Sequence, residues 1–306
     1  MTPTVFFLIL ASVLLHAGWH FLSKQQRGGM AFFLLISFGS FAITLPFTLC
    51  SGVDFTMLPP KFWLFVMLGG LCGVICNSAL SFGYRIADVS LVYPMARALP
   101  VLLTAFITEL LYFILGYGAP LGIAGIISML VVFAGCLIMP LKDFRSITPQ
   151  HYLKNKAMPW IFLAALGTTG YTVFDKIGLD LLLKHSGAEN MILGSCAYST
   201  MREIFLFTFL FIAVLLIPHE RAGLKKDLPK QWLGYISGFF AAAAYILVLL
   251  AMHMVENVSY IQAFRQMSLP VGVFLGVFFL KEKAGLPKIT GLFLIVAGLA
   301  AAALWK

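Results

Sequence analysis

IADVSLVYPMARALP, residues 86–100, can be laid without a gap on MVENVSYIQAFRQMS, residues 254–268, at a constant offset of 168. The register puts Asp88 on Glu256 and Arg97 on Arg265. Each stretch sets an arginine inside a long apolar run, and the first sets it between Pro94 and Pro100. A second match lies upstream of each, with HAGWHFLSK (16–24) over TTGYTVFDK (168–176), so that Gly18 falls on Gly170, Trp19 on Tyr171 and Lys24 on Lys176. Two matches in the same order predict two related halves, 1–150 and 151–306.

The chain around these stretches is 61% hydrophobic and 11% charged over 306 residues, against roughly 25% charged in soluble domains. Apolar runs of about 20 residues, enough to cross roughly 30 Å of hydrocarbon, are read at 3–24, 30–50, 61–83, 90–113, 119–140, 158–177, 190–217, 231–253, 258–280 and 286–305. They are too long and too uniformly apolar for the alternating strands of a membrane barrel. The expected fold class is an all-α polytopic membrane protein of ten helices. The first run lacks a basic leader and a cleavage site, so it is read as a helix rather than a signal peptide. Little chain is left over for a soluble catalytic domain.

Five helices per half is an odd number, so the second half enters the membrane inverted. Inverted repeats of this kind place a substrate near the midplane, where the halves meet. Thirteen of the 21 Lys and Arg fall in the connections after the odd-numbered runs, among them Arg27, Arg85, Arg145, Lys156, Arg221 and Lys283. Only Lys61, Lys184 and Lys306 fall on the other side. The positive-inside rule then makes the basic face cytoplasmic and turns both termini outward. The same loops suit an anionic leaflet of membrane lipids, so the net charge of +9 calls for no nucleic acid.

LLHAGWHFLSK in the first run, YPMARALP in the fourth, and LPVGVFLGVFFLKEKAGLPKITGLFLIVAGLAAAAL at the end resemble the EamA-like branch of the drug/metabolite transporter superfamily. The resemblance covers the whole chain and is strongest in the closing Glu282 with Gly291 and Gly298. It implies a ten-helix carrier of small metabolites in the plasma or inner membrane, working by alternating access, and leaves the substrate open. The first half departs from it, with no glutamate after its fourth run and Glu109 lying earlier, inside the run.

A charge deep in hydrocarbon costs at least about 2.5 kcal/mol, so such residues face a cavity or a partner. Here they are Arg97, Glu109, Asp175, Lys176, Arg202, Glu203 and Arg265. Two fixed guanidinium groups suit an anion, and Arg grips carboxylate or phosphate bidentately. Arg97 and Arg265 are therefore the expected substrate clamp, with the alternative that each only neutralises an acid such as Glu109 or Glu203. Pro94 and Pro100 are expected to loosen the helix beside Arg97. Trp19, Tyr93, Tyr171, Gln262 and His16 complete the expected substrate lining. Glu109, Asp175 and Lys176 are the candidates for coupling, either to protons or to a counter-substrate. Lys24 and Lys176 also lie where snorkelling explains them.

Arg202 and Glu203 project about 100° apart on a helix, so they are not expected to pair with each other. His16 and His20 share a stripe, but no third ligand accompanies them, and no metal is expected. No motif specifies ATP, haem or a nicotinamide, so no cofactor is expected. Gly69, Gly70, Gly73, Gly234, Gly238 and Ala241 to Ala244 read as close helix contacts, which also leave a homodimer open. The expected function is a secondary transporter of a small anionic or zwitterionic metabolite: an amino acid, an organic acid, or a phosphorylated or phosphonate compound. A lipid-headgroup flippase is the alternative. A membrane-embedded lipid-modifying enzyme would need a nucleophile with its base, or a metal set, and no such constellation is evident.

Overall fold

The computed structural model describes residues 2–24, 29–87, 89–141, 143–146, 156–186, 190–227, 232–271, 273–274 and 285–304, with only the backbone for 17–24, 89–91, 146 and 225–227. Asp88 and Glu282 lie outside the described residues, as do the side chains of Trp19, His20 and Lys24. The described residues form helices, turns and no strand. In chain order the helices are α1 (Pro3–Lys24), α2 (Met30–Leu49), α3 (Pro60–Ile86), α4 (Val89–Leu115), α5 (Gly122–Ile138), α6 (Met158–His185), α7 (Met191–Leu216), α8 (Pro218–Asp227), α9 (Trp232–His253), α10 (Ser259–Phe264) and α11 (Leu286–Leu304).

Among the described residues six helices are long and apolar enough to cross a membrane: α2, α3, α4 over Val92–Leu115, α7, α9 and α11. Shorter apolar stretches lie in α1 and α5. The surface fits that reading. Phe113, Ile123, Phe293 and Leu304 are each more than two-thirds exposed, an outward display of apolar groups that suits lipid rather than water. The chain is a membrane-embedded α-helical protein.

Hydrocarbon drives no apolar association between helices, so close packing and interhelical hydrogen bonds hold them together. α3 lies along α6 and α1 along α9; α2 packs on α7 and on α9, α7 on α3, and α5 on α11. Small residues permit these approaches. A Cβ on Gly238 would meet the Ile36 carbonyl oxygen at 2.5 Å and Gly39 Cα at 2.8 Å, so α2 and α9 touch backbone to backbone. Hydroxyls then join the helices. Thr48 and Thr200 lie 2.6 Å apart, Thr200 donates to Thr44 at 2.8 Å, and Ser40 donates to the Gly238 carbonyl.

Three details depart from the sequence reading. α6 runs on to His185, because Lys176 pairs with Asp180 one turn ahead, at 2.8 Å, and Tyr117 also donates to Asp180. The connection after α7 holds the helix α8, whose Glu220 is 2% exposed and accepts hydrogen bonds from the Met30 amide and from Arg85. The run expected as one helix over 258–280 is helical only to Phe264, tightens to a 3-10 turn at Arg265–Met267, and is helical again over 268–271. Pro270 accounts for the change: it has no N–H for the Gln266 carbonyl one turn back, and its ring crowds that carbonyl. α4, by contrast, carries Pro94 and Pro100 within one continuous helix.

Gly238→Val should lower the thermal midpoint of the detergent-purified protein by the equivalent of about 1–3 kcal/mol, the usual cost of overpacking. An unchanged melting curve would show that α2 and α9 separate freely.

Candidate functional site

Arg97 projects from α4 into the interior. Its Nη1 lies 3.0 Å from His16 Nε2 on α1, and its Nη2 donates to the Arg265 carbonyl at 2.8 Å and to Ser268 Oγ at 2.9 Å. The guanidinium also lies over the Tyr93 ring, 5.6 Å from its centre. The same Arg265 carbonyl also accepts the Ser268 amide within the 3-10 turn. Arg265 itself is 8% exposed, with Tyr171, Tyr245 and Tyr93 in its electrostatic surroundings.

Two donors are left over in this arrangement. Among the described residues, Arg97 Nε and Arg265 Nη1 are buried with no hydrogen-bond partner, although Tyr171 stands close to the Arg265 guanidinium, and Gln266 Oε1 is a buried acceptor in the same condition. Among the described residues no carboxylate lies within ion-pair distance of either arginine. Neutralisation by Glu109 or Glu203 is therefore not what holds them. Glu109 Oε1 instead accepts the Leu121 amide, tying the far end of α4 to the start of α5. It stands twelve residues from Arg97, roughly 18 Å along the helix.

A second polar cluster centres on Asp175, whose side chain is fully buried. Tyr198 donates to Oδ1 at 2.9 Å and Tyr245 donates to Oδ2. Arg202 Nε lies 2.9 Å from the same Oδ2 as an ion pair, though not aligned as a hydrogen bond. Gly69 on α3 makes the room, since a Cβ there would fall on the Asp175 carboxylate. Arg202 Nη1 donates to Glu203 Oε1 at 3.1 Å, and Ser37 donates to Glu203 Oε2 at 2.6 Å. Adjacent residues on a helix do pair here, against expectation. The arginine is long enough to fold back across the 100° between them.

The clusters share two rings. The Arg202 guanidinium lies over Tyr171 at 5.1 Å and over Tyr245 at 4.7 Å, and both tyrosines also surround Arg265. Cys76 on α3 lies within electrostatic reach of Arg97, Arg202 and Arg265 together. Gln262 accepts a long hydrogen bond from Thr172, 3.5 Å, and its carbonyl accepts from Gln266.

The structure thus brings together Arg97, Arg265, His16, Tyr93 and Tyr171, with Gln262 on the same helical segment as Arg265. Asp175 belongs to the neighbouring cluster. Lys176, one residue on, points away to Asp180 and lines a cleft with Thr108, Tyr117, Glu256 and Asn257. Sequence reading gave no role to Ser37 or Ser268. Only Ser268 carried a signal, as the last residue of the aligned stretch.

A solved crystal structure shares this fold. It matches with a TM-score of 0.68 over 99% of this chain and 98% of its own, at 15% identity, and at that identity the likeness is one of fold alone. No protein-family model matches the chain, and no curated protein matches it.

Removing Arg202 leaves two buried carboxylates without their cation, a defect that typically costs 3–5 kcal/mol. Arg202→Leu should therefore melt far below wild type. Adding Asp175→Asn and Glu203→Gln should restore much of the loss, and a triple variant less stable than the single one would refute the charge account.

Proposed function

We propose that the protein is a secondary transporter of a small anionic or zwitterionic metabolite, with Arg97 and Arg265 as its anion clamp. The observation that carries this reading is the pair of buried guanidinium donors, Arg97 Nε and Arg265 Nη1, with neither a hydrogen-bond partner nor a carboxylate beside them among the described residues. Buried polar groups are matched in folded proteins almost without exception, and an unpaired buried cation costs more than a neutral donor. A carboxylate, phosphate or phosphonate entering between them supplies the missing acceptors. Gln266 Oε1 adds an acceptor for a substrate ammonium or hydroxyl.

The reading extends to the architecture: ten membrane segments in two inverted repeats, 1–150 and 151–306, of the EamA-like kind. The packing order supports it. Under the repeat, α1 corresponds to α6, α2 to α7, α3 to α9 and α5 to α11. The contact of α3 with α6 then has its mate in α1 with α9, and that of α2 with α9 in α7 with α3. The contacts of α2 with α7 and of α5 with α11 map onto themselves. The hydrogen bond from Arg97 to the Arg265 carbonyl joins the two matched positions, 168 residues apart. Arg85, Glu220 and the start of α2 gather at one face, in keeping with a cytoplasmic basic side and termini outside in the plasma or inner membrane. No catalytic chemistry is assigned to the chain.

A thermal-stability screen of the purified protein against amino acids, organic acids, sugar phosphates and phosphonates tests the clamp. A ligand at 100 times its Kd adds about 2.7 kcal/mol. The expected result is a shift with one anionic class that disappears in Arg265→Gln. A shift that survives the substitution, or none with any anion, would overturn the assignment and turn the search to neutral metabolites and lipid headgroups.

A further inference from the structure

We propose that residues 116–121, which join α4 to α5, form a latched strap that closes the passage by which a substrate reaches Arg97 and Arg265. This rests on the anion-clamp reading and adds to it a passage, the gate that closes it and the face on which that gate lies.

A seam of polar side chains on three helices marks the passage. On α4, Thr104 and Thr108 stand seven and eleven residues beyond Arg97, spacings that keep them on its face of the helix. Ser259, Gln262 and Gln266 share a face of the facing segment, where Gln266 Nε2 donates to the Gln262 carbonyl at 3.0 Å. On α6, Thr172 and Lys176 are one turn apart. Contacts between the helices join these faces. Thr108 and Ser259 lie 2.7 Å apart at one end, Thr172 reaches Gln262 in the middle, and Arg97 donates to Ser268 at the other end. The two ends are roughly 16 Å apart along α4.

Several polar atoms along this line are unmatched. Thr104 Oγ1 and Gln266 Oε1 are buried without a hydrogen-bond partner among the described residues, as are Arg97 Nε and Arg265 Nη1 at the inner end. Folded proteins match buried polar atoms almost everywhere, with water where no side chain serves. A row of unmatched atoms leading from a surface cleft to two buried arginines therefore marks where water or a polar solute travels. The interior away from it is different: Cys136, for example, is fully buried among apolar side chains between α5 and its neighbours.

The seam ends in the cleft lined by Thr108, Tyr117 and Gly118 on one wall and by Lys176, Glu256 and Asn257 on the other. This is the face away from α8, because Arg85, just before the start of α4, bonds Glu220 of α8, and the cleft lies at the other end of α4. Its throat has room for about one water molecule. The strap forms the first wall and is tied to the second. Tyr117 donates to Asp180 at 2.7 Å, Asn257 Nδ2 donates to the Ala119 carbonyl at 2.7 Å, and Tyr260 donates to the Leu121 carbonyl at 3.3 Å. Lys176 holds Asp180 in place from inside the cleft. At the strap's two ends Gly116 and Gly122 have φ of 64° and 67° and nothing packed where a Cβ would stand. Glycine enters that region without steric cost, so both ends can swing once the three bonds are released.

Cysteine accessibility in the detergent-purified full chain tests this without knowledge of the substrate. The probe is an anionic, water-soluble methanethiosulfonate, applied to proteins that each keep a single cysteine: Thr104→Cys in the seam, or the native Cys136 outside it. Thr104 and Cys136 are both 0% exposed, so a dry interior would leave them equally unreactive. The expected result is faster modification of Thr104→Cys. Adding Tyr117→Phe, which removes a hydrogen bond to a charged acceptor, should raise that rate about tenfold and leave Cys136 unchanged. Gln262→Cys reports from the facing helix should Thr104→Cys fail to fold. A seam cysteine no faster than Cys136, a rate indifferent to both Tyr117→Phe and Asn257→Ala, or an equal rise at Cys136 would overturn the proposal. The thermal screen reads the clamp separately. An anion-dependent shift with unreactive seam cysteines keeps the clamp and removes this passage, whereas reactive cysteines that respond to Tyr117→Phe, with no anion shift, keep the gate and remove the clamp.

Discussion

Hydrocarbon offers no hydrogen bond, and that constraint orders everything inside this protein. A polar group placed in the interior must find its partner on another helix, or wait for one to arrive from outside. Asp175 meets the demand internally, with two tyrosines and Arg202 converging on a carboxylate that has no contact with solvent. Arg97 meets most of it, through His16, Ser268 and the Arg265 carbonyl. What Arg97 and Arg265 leave unmet is what separates this pair from the Asp175 cluster. One is a closed account of charge and the other an open one.

The same constraint explains how the helices cohere. Ser12, Ser40 and Thr48 each donate to a carbonyl on another helix, and the threonines at positions 44, 48 and 200 bond one another. Such bonds are worth well under 2 kcal/mol apiece in membranes, so they fix register more than they supply stability. Glycines at 39 and 238 let the backbones come close enough for them to form. Gly69 serves differently, as the space into which an acid fits.

The helices were legible in the sequence because a run of apolar residues needs no tertiary context to be recognised, and most ends fall within a few residues of the expected places. The exceptions were set by partners that no local pattern contains. α6 continues where Tyr117 and Lys176 meet Asp180, and α8 is anchored by a glutamate that reaches Arg85 and the first amide of α2. At the site, the deep charges could be named from sequence, yet their pairing could not. Arg202 was visible as a buried cation, but only the crossing of α6, α7 and α9 shows that it serves two carboxylates and two aromatic rings. Glu109 stood out by its depth, but that its carboxylate accepts the Leu121 amide at the start of the next helix could not be read from the sequence.

The 3-10 turn at Arg265–Met267 has a mechanical consequence. Three residues wound at three per turn advance about 2.0 Å each and rotate 120° each, where α-helical residues advance about 1.5 Å and rotate 100°. Rewinding that one turn into α-helix would draw the following residues back by about 1.5 Å and turn them by about 60° about the axis. The segment is therefore a screw with a short thread.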